Sequence, residues 1–194
     1  MAVVPWGENG PADVARRVLE LPEHLSYPYV FAWEGLVYMV PEIGETGGPV
    51  SLFRARGFPD DWEFVCDLLT GLRAVDATLH PHDGRWYLFA NIVETAGNEN
   101  DELFLFSADT PLGPFQPHPQ NPIVSDVRRA RPAGRLFERA GRLIRPGQDC
   151  AGDYGRAIVF NEVLELSPER YAERPIGRLT PDWAQALIGC HTYA

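Results

Sequence analysis

No stretch of this chain approaches the roughly 18 consecutive apolar residues that a membrane-spanning helix needs, so no such span is expected. The opening MAVVPWGENG has neither the basic start nor the apolar core of a secretory signal. Cysteine is scarce: Cys66, Cys150 and Cys190 are odd in number and lack metal-ligand spacing. The expectation is three reduced thiols, no metal site, no cofactor and a cytoplasmic location. Basic charge is short as well, with 17 Lys+Arg against 27 Asp+Glu and a formal net charge of −10. A phosphate backbone or an anionic membrane surface calls for a basic face, so neither nucleic acid nor a membrane is an expected partner.

Turn formers and apolar residues are plentiful. The 194 residues are 45% apolar and 11% aromatic, enough for one globular domain with a sizeable core. Eighteen glycines and eighteen prolines suit a fold with many turns. The organising stretch is Val75 to Asn91, VDATLHPHDGRWYLFAN, which reads as strand, Asp83-Gly84 turn, strand. Asp-Gly between apolar runs is a strong hairpin signal, because both central positions of that turn want positive φ. The same pattern recurs at Tyr27 to Glu42, turning at Glu34-Gly35, and at Ala133 to Gln148, turning at Ala140-Gly141. With the turn glycines aligned, Val30, Leu79 and Leu136 coincide, as do Tyr38, Tyr87 and Ile144.

Each hairpin is followed by another apolar strand, at 51–55, 103–107 and 157–160, then by proline and an aromatic residue (Trp62, Phe115, Tyr171). A fourth strand leads out, clearest in Trp62 to Leu69. Four short antiparallel strands at a period near fifty residues predict an all-β propeller, since stacked blades bury faces that one blade leaves wet. A β-sandwich is the rival architecture. The expected plan is a single domain, 1–194, with a loose arm at 1–12 and blades at about 22–69, 70–124 and 125–186. Asp13 to Leu21 could form a short helix capped by Asp13, but its place before Tyr27 favours an outer strand at Val14 to Leu19. Leu187 to Tyr193 reads as the approach to a further inner strand, leaving about three complete blades with partial terminal strands.

HLSYPYVF, YMVPE, LFRARGFPDDWEFV, VDATLHPHDGRWYLFA, RARPAGRLF and RPGQDC together resemble the five-bladed propeller domain at the N-terminus of plant glucosamine inositolphosphorylceramide transferases. That domain is similar in turn to the propellers of glycoside hydrolase families 43, 32 and 68. The resemblance runs from about Pro22 to the C-terminus and implies a central funnel where carbohydrate binds. The family's first blade, which opens with an Ala-Asp-Pro-Phe-like stretch and in the related hydrolases supplies the general base, has no counterpart here, so the expected propeller is an incomplete five-bladed one.

Blade-equivalent positions converge on the axis, which selects the site candidates. Asp76 opens an inner strand, and Glu42, Asn91 and Gln148 each lie seven residues past a turn glycine. Glycoside cleavage needs two flanking carboxyl groups, so Asp76 and Glu42 are the leading catalytic candidates and Asp149 the third. Asn91 and Gln148 are expected to bind hydroxyls, Arg131, Arg135 and Arg145 an anionic group, and His191 a ligand in the funnel. All of these could instead be strand-end or surface residues. His80 and His82 are expected on an exposed rim, and the acidic Glu94–Glu102 loop lacks EF-hand spacing. The reading is a carbohydrate-active propeller enzyme, or a descendant with altered chemistry, acting on a sugar-like small molecule. The alternative is a non-catalytic carbohydrate- or partner-binding module.

Three blades leave two open sides. Several hundred Å2 of wet apolar surface forfeits on the order of 10 kcal/mol at roughly 25 cal/mol per Å2. Either the terminal strands close the gap or two chains pair, and the exposed strand edges favour a homodimer. Light scattering on the purified chain at micromolar concentration should return twice the chain mass; a folded monomer refutes the dimer.

Overall fold

The computed structural model describes residues 1–8, 10–11, 14–93, 98–183 and 187–193. Sixteen strands and no helix occur among them. Four strands of two residues come first: β1 (Ala2–Val3), β2 (Trp6–Gly7), β3 (Gly10–Pro11) and β4 (Arg16–Arg17). The main body comprises β5 (Leu25–Trp33), β6 (Leu36–Ile43), β7 (Gly48–Gly57), β8 (Asp61–His82), β9 (Arg85–Ile92), β10 (Glu102–Ala108), β11 (Gln116–Pro117), β12 (Val124–Ser125), β13 (Phe137–Arg139), β14 (Arg142–Asp149), β15 (Ala157–Leu166) and β16 (Tyr171–Leu179).

The three hairpin turns share one backbone. Glu34-Gly35, Asp83-Gly84 and Ala140-Gly141 have φ of 49 and 76, 47 and 76, and 53 and 72 degrees. Two consecutive left-handed residues match the right-handed twist of the flanking strands, as two-residue hairpins require. Glycine adopts the second position without steric cost, and the exposed first position tolerates glutamate, aspartate or alanine.

Strand pairing then builds three antiparallel quartets. β5, β6, β7 and the first part of β8 form one, with β7 paired to β8 over Asp61 to Leu69. Past Gly71, whose φ is 73°, β8 changes partner and pairs with β9 over Ala74 to His82. One 22-residue strand therefore ends the first quartet and begins the second, which β9, β10 and the short β11 and β12 complete. The third is β13-β14-β15-β16, a separate sheet.

The quartets bury their faces against one another. Phe31, Val40, Leu52, Leu69, Leu79 and Leu88 belong to a core between the first and second. Tyr87, Phe89, Leu103, Leu105, Leu136 and Leu166 belong to one between the second and third. The first quartet's other face, with Met39, Phe53 and Trp62, is covered by Val18, Leu19 and Leu21. The start of the expected loose arm is held here: β1 pairs with β4, and the Met1 amino group donates to the Leu19 carbonyl at 2.6 Å. Only Arg16–Arg17 of the anticipated 14–19 strand is a strand, and Asp13 lies outside the described residues. At the other end Tyr193 makes a single parallel bridge to Gly134. Each terminus lies against the quartet next to it in sequence.

The second core contains an ion pair. Arg145 is 1% exposed, and its Nε and Nη2 donate to the two Glu173 carboxylate oxygens at 2.7 and 2.8 Å. Tyr171 Oη and Arg129 Nη1 also donate to Glu173, at 2.5 and 2.9 Å. Burial pushes the Glu173 carboxyl up, but Arg145 outweighs it and holds the group below its usual range. Removing one partner of a buried pair strands the other, at about 3–5 kcal/mol. Glu173→Ala should lower the unfolding free energy by that amount in urea titrations, whereas Arg170→Ala, which breaks an exposed pair with Glu165, should change it by about 1 kcal/mol or less. Equal effects would contradict this account.

Candidate functional site

The three quartets meet through Tyr27. Gly134 N–H donates to Tyr27 Oη at 2.8 Å, and Tyr27 Oη lies 2.8 Å from Thr78 Oγ1, which itself donates to the Asp76 carbonyl at 3.1 Å. Because Thr78 uses its proton on Asp76, Tyr27 is the donor to Thr78. Tyr29 Oη adds a second tie, to the Leu79 carbonyl. Tyr27 and Asp76 both have positive φ, 43 and 51 degrees, and both sit where the pairing register slips, between Ser26 and Tyr29 and between Val75 and Thr78. Such backbone costs on the order of 1–3 kcal/mol for each residue and persists only where the surroundings enforce it.

These bulges open onto a cavity of about 650 Å3. Tyr27, Tyr29, Tyr154 and Tyr193 supply aromatic walls, and Ser26, Glu42, Asp76, Arg131, Arg135 and His191 supply polar groups. The floor is one hydrogen-bonded cluster. Asp76 Oδ2 accepts from Arg131 Nε at 2.6 Å and from Gln148 Nε2 at 2.8 Å. Glu42 accepts from Ser26 Oγ at 3.0 Å and from the Asp76 backbone N–H at 2.9 Å, and its carboxylate lies 3.8 Å from Arg131. Arg131 also reaches Glu99 and Asn100, at 3.2 and 3.0 Å, under the ring of Tyr154 at 4.9 Å.

One guanidinium thus serves three carboxylates. Burial pushes the Asp76 carboxyl up; Arg131 opposes this and the Glu42 carboxylate adds to it, leaving Asp76 at about 7. Arg131 itself is raised, because Asp76 and Glu42 outweigh its own burial.

The expected site residues divide by placement. Asp76, Glu42, Arg131, Arg135 and His191 line the cavity. Gln148 and Asn91 are fully buried behind it: Gln148 holds Asp76, and Asn91 Nδ2 donates to the Glu99 carbonyl at 3.2 Å, its Oδ1 having no hydrogen-bond partner among the described residues. Asp149 and Arg145 do not line it. Neighbours in a strand point to opposite faces, so with Gln148 turned to Asp76, Asp149 turns away, 2.7 Å from Arg178. Arg145 lies in the second core with Glu173. His80 is not on an exposed rim but partly buried, and burial, then His82 and Arg135, push it down to about 4. Of the acidic loop, 94–97 lies outside the described residues, while Glu99 and Asn100 bind Arg131.

Sequence reasoning passed over the four tyrosines. Tyr27 had a usable signal: it precedes Gly35 by eight residues, as Asp76 precedes Gly84 by eight. Tyr154 and Tyr193 reach the cavity from a loop and from the C-terminal segment, where no strand pattern marks them.

The chain's sequence matches, over residues 14–181, the family described as glucosamine inositolphosphorylceramide transferase 1, N-terminal. It is 42% identical over 156 residues to glucosamine inositolphosphorylceramide transferase 1 of Oryza sativa subsp. japonica, covering 79% of this chain and 21% of that protein. The Arabidopsis thaliana protein of the same name is 37% identical over 153 residues, covering 77% and 20%. This chain therefore spans about a fifth of those relatives. Among solved structures, the GH43_1 enzyme of Xanthomonas citri complexed with xylotriose superposes with a TM-score of 0.63 at 15% identity, over 90% of this chain and 65% of that one. A family 117 glycoside hydrolase of Zobellia galactanivorans gives 0.62 at 17%, over 89% and 51%. At such identities the likeness shows the fold, a β-propeller.

The raised Asp76 carboxyl sets a pH dependence. A carboxyl whose folded pKa lies above its unfolded value of 3.8 contributes stability below that value and loses it as pH rises through about 7. Asp76→Asn removes this loss. The stability gap between variant and wild type should shift in the variant's favour from about pH 5 to 8, by up to about 1.4 kcal/mol per pH unit. Urea titrations across that range test it; parallel curves would show that Asp76 titrates normally.

Proposed function

We propose that this chain, which belongs to the family of glucosamine inositolphosphorylceramide transferase N-terminal domains, binds a sugar in the cavity where its three quartets meet. The family and the hydrolase-like fold support a carbohydrate-associated role, and the cavity supplies the chemistry. Tyrosine faces stack on the apolar faces of a sugar ring, while buried carboxylates and a guanidinium match its hydroxyls. A volume of about 650 Å3 has room for a mono- or disaccharide.

The observation that carries the reading is the position of the two acids. Cleavage by the hydrolase route needs carboxyl groups on either side of the scissile bond, about 5 to 9 Å apart. Glu42 and Asp76 stand side by side on one floor, joined through the Asp76 N–H and flanking Arg131. They are the acids of the cavity lining. Both Glu42 oxygens are engaged, and the third candidate, Asp149, is turned to Arg178. This arrangement favours holding hydroxyls over bond cleavage. Within longer relatives named as transferases, such a domain would hold the sugar portion of a substrate or product.

Saturation-transfer NMR with xylotriose and with glucosamine tests the proposal. Either sugar should show transfer, weakened about fivefold in affinity, or roughly 1 kcal/mol, by Tyr154→Ala and by Glu42→Gln, with no turnover of p-nitrophenyl β-xyloside. Binding untouched by both substitutions would place the sugar elsewhere, and turnover abolished by Asp76→Asn would establish an enzyme instead.

A further inference from the structure

The cavity holds two arginines in opposite circumstances. Arg131 is committed to Asp76, Glu42 and Glu99. Arg135 faces no carboxylate among the described residues: its Nη2 donates to the Val30 carbonyl at 2.6 Å, its guanidinium lies 5.6 Å over the Tyr29 ring, and the charge bears on His80, which burial keeps neutral near pH 7. The head group is therefore fixed in place by a main-chain oxygen and an aromatic face, yet has no counter-charge. It is exposed and lines the cavity. A positioned guanidinium with N–H groups to spare is the geometry that takes a carboxylate or phosphate oxygen pair.

We infer that Arg135 is the anion-binding residue of this cavity, and that the sugar it takes carries a carboxylate or a phosphate group. The inference rests on the sugar-binding reading above and names the class of sugar. Hydroxyls meet the Glu42–Asp76–Arg131 floor, and the anionic group meets Arg135 on the Tyr29 wall. Charge balance permits it. Arg131 answers the floor carboxylates Asp76, Glu42 and Glu99, while no carboxylate of the described residues pairs with Arg135, so positive charge remains local to the Tyr29 wall. The overall charge of −10 opposes this only weakly at physiological salt, where the screening length is about 8 Å.

Isothermal titration with D-glucose, D-glucuronate and glucose 6-phosphate at low ionic strength and about pH 7.5 tests the inference. At least one anionic sugar should bind about tenfold tighter than glucose, the scale of one charge-assisted bond. Glucuronate alone gaining identifies a carboxylate ligand, and glucose 6-phosphate alone a phosphate. Arg135→Met, which keeps the stem over Tyr29, should bring the anions down to the level of glucose measured on the same variant, and Arg135→Lys should recover part of the anion preference. Anions no tighter than glucose, or an advantage that survives Arg135→Met, overturns the inference while leaving the sugar reading intact. Failure of all three sugars to bind overturns both.

Discussion

Arg131 is the cation on which the centre of the molecule depends. Glu42 comes from β6, Asp76 from the inner half of β8, and Glu99 from the loop before β10, so one side chain ties the first two quartets and that loop to the start of the third. Without the guanidinium between them, Glu42 and Asp76 would repel at close range inside protein, where a unit-charge pair at 4 Å is worth about 4 kcal/mol at an effective dielectric constant of 20. The neutral contacts around it, Tyr27 to Thr78 and Gly134 and Gln148 to the Pro132 carbonyl, spend no charge and hold the floor's shape.

The molecule contains a second buried arginine, and the comparison separates structure from site. Arg145 meets one carboxylate in a two-pronged pair, with the Arg129 carbonyl taking a further N–H at 2.8 Å. Arg129 joins Arg145 on that carboxylate, the acid is held ionised, and none of the three lines the cavity where the quartets meet. At Arg131 the acids outnumber the base, one of them is driven toward the neutral form, and the cluster borders open volume. An imbalance of this kind costs stability and is found more often at functional sites than in cores.

Much of this was legible in the sequence, because the signals are local. Asp83-Gly84 and its two counterparts dictate hairpins through backbone sterics alone, and the alternation around them places Leu79, Leu88 and Tyr87 in cores. Counting from the turn glycine grouped Glu42, Asn91 and Gln148, since equal distance from equal turns means equal depth along a strand, and both Glu42 and Gln148 hydrogen-bond Asp76, the residue that opens an inner strand. The count gives depth and not direction. Asp149 and Arg145 were grouped with the others by nearness in sequence, and strand alternation sends them elsewhere. What the termini do was not legible either: the N-terminal residues lie on the first quartet through nonlocal contacts of Val18, Leu19 and Leu21, and Tyr193 enters the cavity through one bridge to a glycine.

That glycine sets a tolerance on the whole arrangement. A Cβ at Gly134 would lie 2.1 Å from the Tyr193 carbonyl oxygen, and one at Gly155 would lie 2.7 Å from the His191 Cβ. The C-terminal segment threads a slot with no slack, so the wall bearing His191, Thr192 and Tyr193 is keyed to two hydrogen atoms where any other residue has a β-carbon. Gly134 also donates its N–H to Tyr27, 107 residues earlier in the chain. One residue without a side chain therefore borders two walls of the cavity at once, the first quartet's through its N–H and the C-terminal segment's through its missing Cβ.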